Sequence, residues 1–176
     1  NRPFFLYMAY WAVHSPLQAK KEDYERLDYI KNHEERVLAS MVMSVDRGVG
    51  EIRKALKDNG IDDNTIIVFT SDNGAPGYIG LPDLNKPFRG WKLTNFEGGI
   101  HVPFIVNYPS KIPAGSIYDG RVSNMDIFST FSNIAKADYY KKSELDGVDI
   151  LPYLSGEKDG EPERILFNKS GNYSFL

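Results

Sequence analysis

The sequence contains no cysteine, which excludes disulfides and thiolate metal sites and leaves no report of a redox compartment. It has no apolar run approaching the length of a membrane span. It has no large excess of either sign of charge: 21 Lys and Arg stand against 24 Asp and Glu. A net charge of −3 gives no reason to expect nucleic acid or an anionic membrane as a partner. It has no internal repeat, no low-complexity tract and no signal-peptide pattern at its start. Asn1-Arg2-Pro3 leads directly into a core-like apolar stretch, so the expectation is a chain cut from something longer. What remains is 176 residues, 41% apolar and 26% charged, enough for one core and a single domain or most of one.

The most informative stretch is 65–101. Thr65-Ile66-Ile67-Val68-Phe69-Thr70 is a continuous β-branched and aromatic run, the pattern of a strand covered on both faces in an α/β sheet. It runs into Ser71-Asp72-Asn73-Gly74, and in such sheets chemistry collects where strands end. Asp72 and Asn73 offer a carboxylate and an amide oxygen, the donors that calcium or magnesium prefer. An Asx-rich turn closing a strand for conformational reasons alone is the competing reading. Residues 75–86 are rich in Gly and Pro and suit a substrate-facing loop, with Tyr78, Phe88 and Trp91 in or beside it. Arg89-Gly90-Trp91-Lys92 and Glu97-Gly98-Gly99-Ile100-His101-Val102-Pro103 follow.

Elsewhere the chain alternates strands and helices. Residues 3–10 read as a first buried strand, ending at Trp11-Ala12-Val13-His14-Ser15-Pro16, which places His14 just beyond a strand end. Residues 17–33 read as a polar loop with a short helical turn. Asn32 with Glu35 has capping-box spacing, and apolar residues from Leu38 to Leu56 recur at the helical period over 34–59. Gly48 and Gly50 inside that helix suggest close approach to a neighbour, and Gly60 ends it. A third core strand is expected at 102–107. A helix over 124–137 follows, capped by Ser123 and Asp126 and burying Ile127, Phe128, Phe131, Ile134 and Ala135. A short turn near 150–154 and a strand at 165–167 complete the reading. Asn168-Lys169-Ser170 and Asn172-Tyr173-Ser174 match the glycosylation sequon.

Phe69-Thr70-Ser71-Asp72-Asn73-Gly74, then R-G-W-K at 89–92, then E-G-G-I-H-V-P-F at 97–104, resemble the sulfatase family at three consecutive points. Ala12-Val13-His14-Ser15-Pro16-Leu17 and Leu145-Asp146-Gly147-Val148-Asp149-Ile150-Leu151-Pro152 resemble two further family landmarks, in the expected order. The resemblance covers nearly the whole chain. It implies an α/β fold of the alkaline-phosphatase-like kind: a mixed, mostly parallel sheet sandwiched by helices, with the start of a small C-terminal antiparallel subdomain. Residues 1–137 would be the C-terminal part of the catalytic domain and 138–176 a link into that subdomain.

The resemblance also implies hydrolysis of a sulfate monoester by a formylglycine made from Cys or Ser in C/S-x-P-x-R. Pro-x-Arg occurs at Pro87-Phe88-Arg89 and Pro162-Glu163-Arg164, but Asn85 and Gly160 stand two residues before each proline. The nucleophile is therefore not in these residues, and the fragment alone is expected to be inactive. A divalent cation, with calcium the expected ion, would be held by Asp72 and Asn73. Asp72, His14 and Lys92 would be catalytic. His14 and Lys92 would contact the sulfate, with Arg89 and Trp91 in the substrate-binding set. The substrate would be a sulfated small molecule or glycan, with a carbohydrate preferred because of the aromatic loop. The missing N-terminal part of the same domain would be the partner. The family suggests a periplasmic, secreted or lysosome-like setting. A phosphonate or phosphate ester hydrolase of the same superfamily, or a non-catalytic binder of sulfated glycans, are the alternatives. Two departures from the family pattern stand out: Leu93 where glycine usually follows the lysine, and His101 where arginine is usual.

Overall fold

In the computed structural model, which describes residues 2–137, 145–170 and 173–175, the periodic stretch after Asn32 folds as one long helix. The chain divides into two units, Asn1–Gly60 with Gly77–Leu84, and Ile61–Pro76 with Asn85–Leu176.

The first unit is helical. Helix α1 (Lys21–Arg26) packs on α2 (His33–Asp58). Asn32 caps α2 as its spacing predicts, its Oδ1 accepting from the Glu35 N–H at 2.9 Å. Gly48 is a site of close approach, because a Cβ there would lie 2.3 Å from the Tyr10 hydroxyl oxygen. Gly50 has nothing within 4 Å, so the predicted approach fails at that position.

An ion pair that periodicity could not reveal fixes α1 to α2. Asp23 is 2% exposed; its carboxylate accepts from Arg47 at 3.0 and 2.7 Å and from the Ser44 hydroxyl at 3.0 Å. Those Arg47 hydrogen bonds bring the Asp23 carboxyl down to about 2.

The predicted buried strand at 3–10 is not formed: among the described residues no strand pairs with it, and Phe5 and Tyr7 are 72% and 81% exposed. A strand requires a hydrogen-bonded neighbour, and among the described residues none lies beside this stretch.

The second unit is built on β1 (Ile67–Thr70) and β2 (Phe104–Asn107), paired antiparallel with Phe69 opposite Ile105. One face, bearing Val68 and Val106, lies against Ile127 and Phe131 of α4 (Met125–Ile134) and Leu154 of α5 (Leu151–Leu154). The other carries Phe69 and Ile105, 38% and 59% exposed. The predicted covering of both faces is therefore met on one face only. The predicted mostly parallel sheet is likewise not found among the described residues, where both strand pairs are antiparallel.

Helix α4 buries Asp126, Ser129, Thr130 and Ser132, whereas Phe128 is 50% exposed and Ile134 and Ala135 lie outside the buried set. The predicted apolar face is thus only partly correct, because a segment bonded through its backbone covers the polar side of the helix. Ser129 donates to Gly147 O, and the Val148 and Ile150 N–H groups donate to Asp126 and Thr130. Asp126 also accepts from Arg164 and from the Ser123 N–H. Gly147 permits this docking, since a Cβ there would meet Met125 O at 2.2 Å.

The terminal strand begins later than predicted, as β3 (Asn168–Ser170) paired with β4 (Tyr173–Phe175). Ile165 and Phe167 are exposed. The first sequon falls on β3; Asn172 of the second lies outside the described residues.

Candidate active site

Strand β1 delivers Ser71-Asp72-Asn73-Gly74 to the end of the sheet. Asn124, at the start of α4, anchors that end, accepting from the Thr70 hydroxyl at 3.0 Å and donating to Ser71 O at 2.9 Å. Asp72 is exposed and Asn73 half-buried. Asn73 Nδ2 donates to Gly74 O at 3.0 Å, so its Oδ1 is the atom suited to a cation.

The turn is stitched to the loop carrying Arg89, Trp91 and Lys92. Gly74 N–H donates to Gly99 O at 2.9 Å, Lys92 N–H to Ala75 O at 3.1 Å and Gly98 N–H to Arg89 O at 2.7 Å. Asn85 completes the seam, accepting from Ala75 N–H at 2.8 Å and donating to Ala75 O and Gly90 O at 2.9 and 3.1 Å. No sequence pattern marked Asn85; it reads as one polar loop residue among several until the loop is folded. Helix α3 (Glu97–Ile100) holds the two glycines that let the chains approach.

Space explains those glycines. A Cβ at Gly74 would lie 1.9 Å from Gly98 O, and one at Gly98 would lie 2.3 Å from Gly90 O. Both obstacles are backbone, which cannot rotate aside. Gly74→Ala is therefore expected to destabilise by ~1–3 kcal/mol or more, as overpacking does. The check is a clear fall in the thermal midpoint; an unchanged midpoint would mean that the seam is looser than described.

Several charged and aromatic side chains of this segment pair with one another. The Arg89 guanidinium lies over the Phe96 ring, 4.1 Å from its centroid, a cation–π contact. His101 pairs with Glu97 through Nδ1 at 2.7 Å and stacks on Phe88, ring centroids 4.3 Å apart. Trp91 is 53% exposed and Lys92 half-buried. The unit thus brings together Asp72, Asn73, Arg89, Trp91 and Lys92.

His14 belongs to the first unit, as does Tyr78, which is 64% exposed. His14 is exposed, with Nδ1 2.8 Å from Ser15 O. A carbonyl only accepts, so Nδ1 carries the hydrogen of that contact.

Among the described residues no three His, Asp or Glu side chains gather to hold a metal. Asp72 and Asn73 supply two hard oxygen donors of the type calcium takes, where a full shell needs about six to eight. Their chemistry fits such an ion, with the remaining oxygens supplied from beyond this pair.

The sulfatase family model matches residues 1–137, and the chain belongs to the sulfatase family. It is 40% identical over 167 residues to "Uncharacterized sulfatase YdeN" of Escherichia coli, covering 94% of this chain and 30% of that protein. It is 37% identical over 159 residues to the N-acetylgalactosamine-6-sulfatase of Canis lupus familiaris, covering 89% and 29%. The crystal structure of Ps i-CgsB in complex with k-i-k-neocarrahexaose superposes with a TM-score of 0.80 at 43% identity, covering 85% of this chain and 33% of that one. The chain therefore spans about a third of the length of the relatives it matches, and its solved neighbours carry the alkaline-phosphatase-like fold.

Proposed function

We propose that this chain supplies the metal-turn and sulfate-clamp part of a sulfatase that hydrolyses a sulfate monoester of a saccharide. The observation that carries the reading is the seam through Ala75, Asn85 and Gly74, which fixes the backbone of Lys92 to the Asp72–Asn73 turn. Saccharide is the preferred substrate class because the loop carries exposed Phe88 and Trp91 and because one neighbour was solved with a neocarrahexaose. In this reading residues 1–137 are part of the catalytic domain, completed by a mostly parallel sheet, and 138–176 link into the small C-terminal subdomain.

The nucleophilic oxygen would come from a formylglycine, whose C/S-x-P-x-R motif is absent from the 176 residues. Lys92 holds a peripheral sulfate oxygen and offsets the charge that grows there. Asp72 and Asn73 would hold calcium, which neutralises the sulfate oxygens when bound. Asp72 would also act on the nucleophile's hydroxyl. His14 delivers a proton from Nε2 to the bridging oxygen as the S–O bond breaks, so the saccharide leaves as an alcohol and not as an alkoxide. The overall reaction consumes one water, which restores the proton given up by His14 and the oxygen carried off with sulfate, so the products are alcohol and inorganic sulfate.

The test is incubation of the full-length protein with k-i-k-neocarrahexaose and calcium, with inorganic sulfate measured by ion chromatography. Sulfate release that stops on chelation is expected. Hydrolysis of a phosphate monoester in its place, or saccharide binding without release, would favour the other two readings of the family fold.

A further inference from the structure

Leu93 has φ +74°, in the left-handed region that side chains other than glycine rarely adopt. The other such non-glycine residue among those described, Lys136, closes helix α4, where this conformation is common. Leu93 closes no helix. It is the third residue of a β-turn in which Thr94 N–H donates to Trp91 O at 2.9 Å, and a positive φ at that position favours glycine. The turn is locked by Thr94 Oγ1, which donates to Trp91 O at 2.7 Å and accepts from Trp91 N–H at 3.1 Å. Core packing does not account for a leucine here, because Leu93 is 78% exposed. An unfavourable backbone thus holds an apolar side chain out to solvent, one residue from Lys92 and two from the half-exposed Trp91. Strain of this kind collects at ligand-contacting positions.

We propose that Leu93 is a specificity-determining residue. With Trp91 it presents an apolar surface to the C–H face of the saccharide ring whose sulfate Lys92 holds. The proposal rests on the reading of Lys92 as the sulfate contact. A small aryl ester offers one flat ring and no neighbouring saccharide units to spread over Trp91 and Leu93, so Leu93 separates saccharide sulfates from simple sulfate esters.

The experiment compares the full-length enzyme with Leu93→Gly and Leu93→Asn, both of which accept a left-handed backbone. Substrates are k-i-k-neocarrahexaose and 4-nitrophenyl sulfate. Both variants are expected to keep or raise the thermal midpoint. Their KM for the saccharide should rise about tenfold, as for loss of one apolar contact, with kcat/KM for the nitrophenyl ester within about twofold of wild type. An unchanged saccharide KM, or equal losses on both substrates, overturns the role of Leu93 while leaving the sulfatase reading intact. Wild-type enzyme that cleaves the nitrophenyl ester but leaves the saccharide untouched overturns it as well. Wild-type enzyme that releases sulfate from neither substrate overturns the sulfatase reading and this proposal together.

Discussion

Asp72→Ala in the full-length protein is expected to lower kcat/KM for a sulfate ester by ~10²–10⁴-fold. A cation at a developing sulfate charge supplies several kcal/mol, and each 1.36 kcal/mol is a factor of ten. Asp72 is the carboxylate of the strand-end pair, and Asn73 offers only a neutral oxygen beside it. The structure separates this loss from unfolding. The side chain of Asp72 is exposed, and the seam that holds the turn runs through Gly74, Ala75 and Asn85. The variant should therefore keep its thermal midpoint in the presence of chelator while losing turnover. A variant midpoint well below that of wild type, both measured in chelator, would mean that Asp72 supports the fold and not the ion. Asp72→Asn, which keeps the shape and removes the charge, should fall between the two.

His14→Ala should discriminate between leaving groups. A sugar alkoxide is a poor leaving group and needs a proton, whereas nitrophenolate departs without one. Loss of a general acid costs ~10²–10⁴-fold, so turnover of a saccharide sulfate should fall by that factor and turnover of 4-nitrophenyl sulfate by far less. The Ser15 carbonyl holds the Nδ1 hydrogen, which leaves Nε2 as the nitrogen for the proton transfer in this reading. His14→Gln should not restore activity on the saccharide, because an amide cannot supply a proton at the bridging oxygen. Equal losses on both esters would reduce His14 to a binding or structural residue.

The parts of the fold that were legible in the sequence are those decided locally. The long helix was readable because its cap and its 3.6-residue period lie within one segment, and Asn32 does accept from Glu35. The turn after β1 was readable from composition alone. What could not be read depends on partners distant in sequence. Residues 3–10 have the composition of a buried strand, but composition does not provide the neighbour that a strand needs, and they stand exposed. The buried side of α4 is polar because the backbone of residues 147–150 bonds to Ser129, Asp126 and Thr130. An apolar count along one helix cannot anticipate that arrangement. Asn85 carries the seam through a side chain whose partners are 5 and 10 residues away. Leu93 is the reverse case: the residue type argues against the left-handed turn that the loop nonetheless adopts.

The central proposal is that the Asp72–Asn73 turn is part of a cation site. Metal content of the desalted full-length protein, wild type beside Asp72→Ala, tests it most directly by mass spectrometry. Near-stoichiometric divalent cation in the wild type and a large loss in the variant is the expected result. Undiminished occupancy in Asp72→Ala would remove Asp72 from the ligands and contradict the account.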